Sequence, residues 1–113
     1  MTSTAPHVTP FDHGAIVTLS GELDAYDAPT LRERFAEVAA EHAGTVVVLD
    51  LTAVTFLDST ALGTVVGLLR RVREAGGALR VVLPVGEARR IFELTSLDRS
   101  LDVRESRVSA TAG

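Results

Sequence analysis

The run Val46-Val47-Val48-Leu49 is apolar without interruption, and Leu51 carries it past Asp50. A strand with one wet face alternates, so a continuous run marks a strand covered on both faces, as in a parallel sheet. Leu79-Arg80-Val81-Val82-Leu83, closed by Pro84, reads the same way. The segments around these strands change to a 3.6-residue period. Leu31, Phe35, Val38 and Ala39, with Arg32, Glu33, Glu37 and Glu41 on the wet side, predict a helix. It begins near Asp27-Ala28-Pro29, where a carboxylate can cap and a proline costs nothing, and it ends at Gly44. Leu62, Val65, Val66, Leu69 and Val72 predict a second helix from Asp58 and Ser59 to about Ala75, with Arg70, Arg71 and Arg73 at its solvated end and Gly76-Gly77 as the stop.

Gly86 to about Thr95 predicts a short third helix with Ala88, Ile91 and Phe92 inward. Two strands come first, His7 to Phe11 and Ala15 to Ser20, joined by Asp12-His13-Gly14, and Leu101-Asp102-Val103 suits a last one. The order β-β-α-β-α-β-α-(β) implies an α/β fold: a mixed, mostly parallel sheet of four to five strands, three to four helices and a first-strand hairpin. The 113 residues suffice for one core. Residues 1–6 read as a frayed end, 7–105 as the domain, and 106–113 as a flexible, polar tail with little to bury.

Charge and composition narrow the function. The formal charge of −4 leaves no broad basic surface for nucleic acid or anionic lipid, although every one of the 11 basic residues is arginine. With no cysteine, disulfides and thiolate metal sites are excluded. No apolar run is long enough to span a bilayer, and Met1 to His7 lacks the regions of a signal peptide, so a soluble cytoplasmic protein is expected, without a membrane partner.

In parallel sheets, sites collect at the loops leaving the carboxyl ends of strands. Two such loops stand out, Glu22 to Asp27 and Thr55 to Thr60, and they are expected side by side. Asp58, Ser59 or Thr60 caps the second helix. A hydroxyl in that first turn is also open to modification, since a phosphate there meets free N–H groups and the positive end of the helix dipole. Ser59 lacks the surroundings of a nucleophile: no G-x-S-x-G elbow flanks it, and His7, His13 and His42 have no reason to converge on it. Those histidines lack metal-ligand spacing, and without lysine no Walker loop can form. Glu22, Asp24, Asp27 and Asp58 are either caps and solvated surface or a negative rim around Ser59. With aromatics at 4%, a sugar cleft is not expected.

Phe56-Leu57-Asp58-Ser59-Thr60-Ala61-Leu62-Gly63, preceded by Val48-Leu49-Asp50-Leu51, resembles the signature of the STAS domain of bacterial anti-sigma factor antagonists. Gly21 to Pro29 and Ile91 to Leu97 resemble two further motifs of that family, extending the likeness over about residues 8 to 103. The resemblance implies a STAS fold and a non-enzymatic partner switch. The unmodified antagonist binds an anti-sigma factor that is also a serine kinase and so frees a sigma factor. Phosphorylation of the serine after the motif aspartate, here Ser59 with Thr60 as second choice, releases it, and a serine phosphatase restores it. ATP and Mg²⁺ belong to the kinase, so no cofactor is expected in this chain. The implied partner-binding residues are Glu22, Asp24, Tyr26, Asp58, Ser59, Thr60, Leu62 and Gly63. Two departures stand out: Ala61 replaces the usual glycine, stiffening the helix start and crowding an approaching kinase, and the tail after Glu105 looks too polar for the usual final helix. The alternative role is a structural or regulatory subunit of a stress-signalling assembly or a lipid-transport complex.

Overall fold

The structure, a computed structural model, describes residues 6–83, 86–94 and 101–112. Among these residues five strands form one sheet in the order β1-β2-β3-β4-β5: β1 His7–Phe11, β2 Gly14–Leu23, β3 Val46–Leu57, β4 Ala78–Val82 and β5 Asp102–Arg104. The β1–β2 hairpin is antiparallel and every other pairing is parallel, as the alternation of strands and helices implies. Among the described residues, four helices accompany the sheet: α1 Ala28–Glu41, α2 Ser59–Glu74, α3 Glu87–Leu94 and α4 Arg107–Thr111. Residues 1–5 of the expected frayed end, Pro84, the inward placement of Ala88 and Ile91, and residues 95–97 of the third motif lie outside what is described. Pro6, assigned to the frayed end, is buried.

Strand alternation sorts the apolar residues onto two faces. Val17, Leu19, Val47, Leu49, Leu51, Leu79 and Val81 meet α1 through Leu31, Phe35 and Val38 and α2 through Leu62, Val65, Leu69 and Val72, with Phe92 of α3 in the same core. Val66, expected in the α2 stripe, is only half-buried, while Ala61 and Leu68 are buried. The opposite face is smaller: Ile16, Val48 and Val82 pack against Ala110 of α4. Coverage on both sides explains the uninterrupted apolar runs of β3 and β4.

The strands are longer than expected. Gly21-Glu22-Leu23, read as loop, continue β2 by pairing with Val54, Phe56 and Leu57 of β3, with one register shift before Gly21 and a second between Gly21 and Glu22. A positive-φ glycine reads as a turn, yet Gly21 (φ 78) here accompanies a bulge rather than a strand end.

The tail is the main correction. Residues 107–111 form a helix where a flexible polar segment was expected, and Ala110 is fully buried. Its polar groups are matched by polar groups on the back of the sheet. Arg107 donates to the Asp50 carboxylate at 3.0 and 2.9 Å and to the Thr18 hydroxyl at 2.9 Å. Arg80 donates to the Ala110 and Ala112 carbonyls, each at 2.9 Å, and Arg104 to the Ser109 carbonyl at 3.0 Å. Burial pushes the Asp50 carboxyl up, but the Thr52 hydroxyl and amide and the Arg107 guanidinium outweigh it and hold the group below its ordinary value.

Candidate functional site

β2 and β3 run parallel and end together, so the loops that leave them emerge at one edge, where α1 and α2 begin. Asp58 joins them. In extended conformation at the N-cap of α2 (φ −86, ψ 174), it accepts the Ala61 N–H through Oδ1 at 2.8 Å. Its Oδ2 accepts the Ala25 N–H of the other loop at 2.9 Å, and its own N–H donates to the Leu23 carbonyl at 3.1 Å. One side chain thus caps a helix and staples the neighbouring loop to it.

The other loop is folded by its own carboxylates. Asp24 Oδ1 accepts the Tyr26 N–H at 2.9 Å, and Asp27 Oδ2 accepts the Asp24 N–H at 3.0 Å. Asp27 stands at the N-cap of α1 but makes no side-chain cap bond, contrary to expectation, because its carboxylate is turned back to Asp24.

Of the three candidates for the α2 cap, Asp58 is the one that takes it. Ser59 and Thr60 occupy the first turn, exposed, and their hydroxyls and amides have no partner among the described residues. A free hydroxyl beside two unfilled N–H donors at a helix start is a place where a phosphate can be added and held without breaking a native bond.

The end of β2, the loop after it and the first turns of α2 carry Glu22, Asp24, Tyr26, Asp58, Ser59, Thr60 and Gly63, all exposed except Asp58, which is half-buried. Leu62 does not belong with them: at 5% exposure it is part of the core between α2 and the sheet. Phe56 was not among the expected contact residues, yet it is 50% exposed beside Glu22, its pairing partner across the strands, and Tyr26 is 86% exposed. The signal in the sequence was a large apolar residue two positions before a helix cap, masked by its place in an apolar run.

Ala61 does not crowd this surface. Its side chain is fully buried, so the methyl group expected to hinder a partner faces the core instead. His13 and His42 sit beside the start of β3, at the other end of the strand from Ser59, so neither can serve it as a base.

The comparisons agree with this geometry. The chain matches the STAS domain family over residues 5–110. The anti-sigma-B factor antagonist of Bacillus subtilis is 34% identical over 87 residues, which cover 77% of this chain and 78% of the relative. A crystal structure of an anti-sigma factor antagonist from Mycobacterium paratuberculosis matches with a TM-score of 0.77 and 29% identity, over 93% of this chain and 88% of that one. A Thermotoga maritima protein, described as a candidate anti-sigma factor antagonist, shares the fold at a TM-score of 0.84 and 24% identity, over 93% and 90% of the two chains. Sheet order, helix placement and the extent of the match lead to one assignment: the chain belongs to the STAS domain family.

Proposed function

We propose that this chain is an anti-sigma factor antagonist, which binds an anti-sigma factor serine kinase while Ser59 is unmodified and is released when Ser59 is phosphorylated. The observation that carries this reading is the division of labour at the head of α2: Asp58 supplies the cap and the staple, leaving the Ser59 hydroxyl exposed and without a partner among the described residues. The names of the relatives support the same role.

In the transfer step, Ser59 Oγ attacks the γ-phosphorus of ATP held by the kinase with its Mg²⁺. The new O–P bond forms as the bond to the bridging oxygen breaks, ADP leaves, and the hydroxyl proton passes to a base on the kinase. The phosphate is accommodated by the free Ser59 and Thr60 amides and the helix dipole, so the domain stays folded. About −1.5 to −2 of added charge beside Glu22 and Asp24 then opposes an interface formed around the unmodified serine. A serine phosphatase reverses the step by hydrolysis. The chain itself is a substrate and a binding module, not an enzyme.

The test is to incubate the protein with ATP and each anti-sigma factor kinase homologue of its own genome, then to locate the modification by mass spectrometry. Phosphate on Ser59, its absence from Ser59→Ala, and weakened kinase binding by Ser59→Asp are expected. Full modification of Ser59→Ala at Thr60 moves the acceptor by one residue. If no such kinase binds either form, the antagonist reading fails.

A further inference from the structure

The fold does not require two of the glycines in α2. Gly63 and Gly67 lie in the helix interior, where glycine is a poor residue compared with alanine. Neither has positive φ, and a Cβ built at either position meets nothing within 4 Å. Internal packing therefore does not explain them; a side chain at these positions would obstruct only something arriving from outside.

They open a groove of about 300 Å³ between α1 and α2, whose walls carry Arg32, Arg70, Arg71 and Glu74. The three arginine side chains have no partner among the described residues, so the groove presents three unpaired cations against one anion in a chain of net charge −4. The groove also continues the candidate site: Ser59, Gly63, Gly67, Arg70 and Glu74 follow one another at three- and four-residue steps, which places them along one face of α2. A protein engaging Ser59 and lying along that face reaches the groove.

We propose that the α1–α2 groove is a second docking surface for the protein that acts at Ser59 and receives an acidic segment of it. Gly63 and Gly67 let that segment lie close against α2, and Arg32, Arg70 and Arg71 pair with its carboxylates. The inference rests on the reading of Ser59 as a partner-switched serine and adds the residues that select the partner. Arg70 lies about 16 Å along the helix from Ser59, and charges that far apart are largely screened at physiological salt. The groove therefore sets affinity and partner choice, whereas the phosphate acts at the other end of the face.

The experiment is calorimetric titration of the full chain with the kinase that modifies Ser59 in the assay above, at low and physiological salt. Gly67→Leu and the double variant Arg70→Glu/Arg71→Glu are each expected to weaken binding about tenfold or more, the first with no fall in melting temperature and the second with a fall of a few degrees from acidic residues placed near the end of α2. The arginine effect shrinks as salt rises and the glycine effect persists. A milder variant, Gly67→Ala, raises the melting temperature and keeps the test informative if leucine disturbs the fold. If Ser59→Asp releases the kinase while both groove variants bind within about threefold of the parent, the groove proposal is overturned and the phosphorylation switch stands. If Ser59→Asp binds as the parent does, the switch fails and takes this inference with it.

Discussion

Replacing Asp58 with alanine removes both ends of the link between the loops, and the cost is calculable from two bonds. The bond from Ala61 N–H to Oδ1 (2.8 Å) is an N-cap, worth about 1 kcal/mol. The bond from Ala25 N–H to Oδ2 (2.9 Å) is made to a charged group but at a half-exposed site, so about 1–1.5 kcal/mol is the appropriate end of the range. Together Asp58→Ala costs about 2–2.5 kcal/mol. An unfolding entropy near 2.1 cal/mol/K per residue gives about 0.24 kcal/mol/K for 113 residues, so the melting temperature falls by about 8–10 °C. Asp58→Asn separates the two bonds. Asparagine caps as well as aspartate through its one carbonyl oxygen, but its amide nitrogen cannot accept the Ala25 N–H. The asparagine variant should therefore lose only about 4–6 °C by the same entropy scaling. In both variants the Ala25 amide should lose protection from hydrogen exchange, and in the alanine variant the Ala61 amide as well. Calorimetry and exchange on the three proteins check this. Equal losses for asparagine and alanine, or an alanine loss below about 0.5 kcal/mol, would refute the two-bond account.

The Asp50 carboxyl is held below its ordinary value, so it contributes stability above the unfolded-state value of 3.8, and that contribution is lost as pH falls through the folded value. Melting curves between pH 7 and 2 should show Arg107→Ala less stable than the parent at pH 7 but losing less as the pH falls, so that the gap narrows in acid; a gap that stays constant down to pH 2 would deny the pairing its role. Truncation after Glu105 removes the only helix packed on the back of the sheet among the described residues, uncovering Ile16, Val48 and Val82 and stripping Asp50 of its cation. A loss of about 2 kcal/mol or more by urea titration is expected, and unchanged stability would mean α4 contributes nothing. Phe56→Ala removes a half-exposed ring at the end of β3, and on the proposed function it should weaken kinase binding by about tenfold while shifting the melting temperature by no more than a degree or two, read by titration and calorimetry on one sample.

The fold class was legible because it rests on local periodicity. The apolar runs of β3 and β4, the amphipathic stripes of α1 and α2 and the alternation between them leave few topologies, and the observed sheet order is among them. The head of α2 was legible for the same kind of reason: three capping residues before an apolar stripe mark a helix start wherever they occur.

What lay beyond the sequence depended on contacts between distant residues. Nothing local distinguishes Asp58 from Ser59 as the cap; the choice is made by Ala25, 33 positions earlier, which draws the second carboxylate oxygen to it. The extension of β2 through Gly21-Glu22-Leu23 exists only because β3 offers it a ladder. The last helix was hidden because Arg107 and Ser109 look like solvated surface until Asp50, 57 residues away, and the Arg104 side chain meet them. Leu62 and Phe56 exchange roles for a related reason: periodicity reports which residues are apolar, but only the packed sheet decides which of them α2 covers. Sequence by itself determined the five strands and first three helices, their order and the serine at the start of α2. Tertiary structure decided which groups are used up in holding that start together and which are left free, because a hydrogen-bond donor or acceptor is satisfied by whatever the fold brings within 3 Å of it, however far away it lies along the chain.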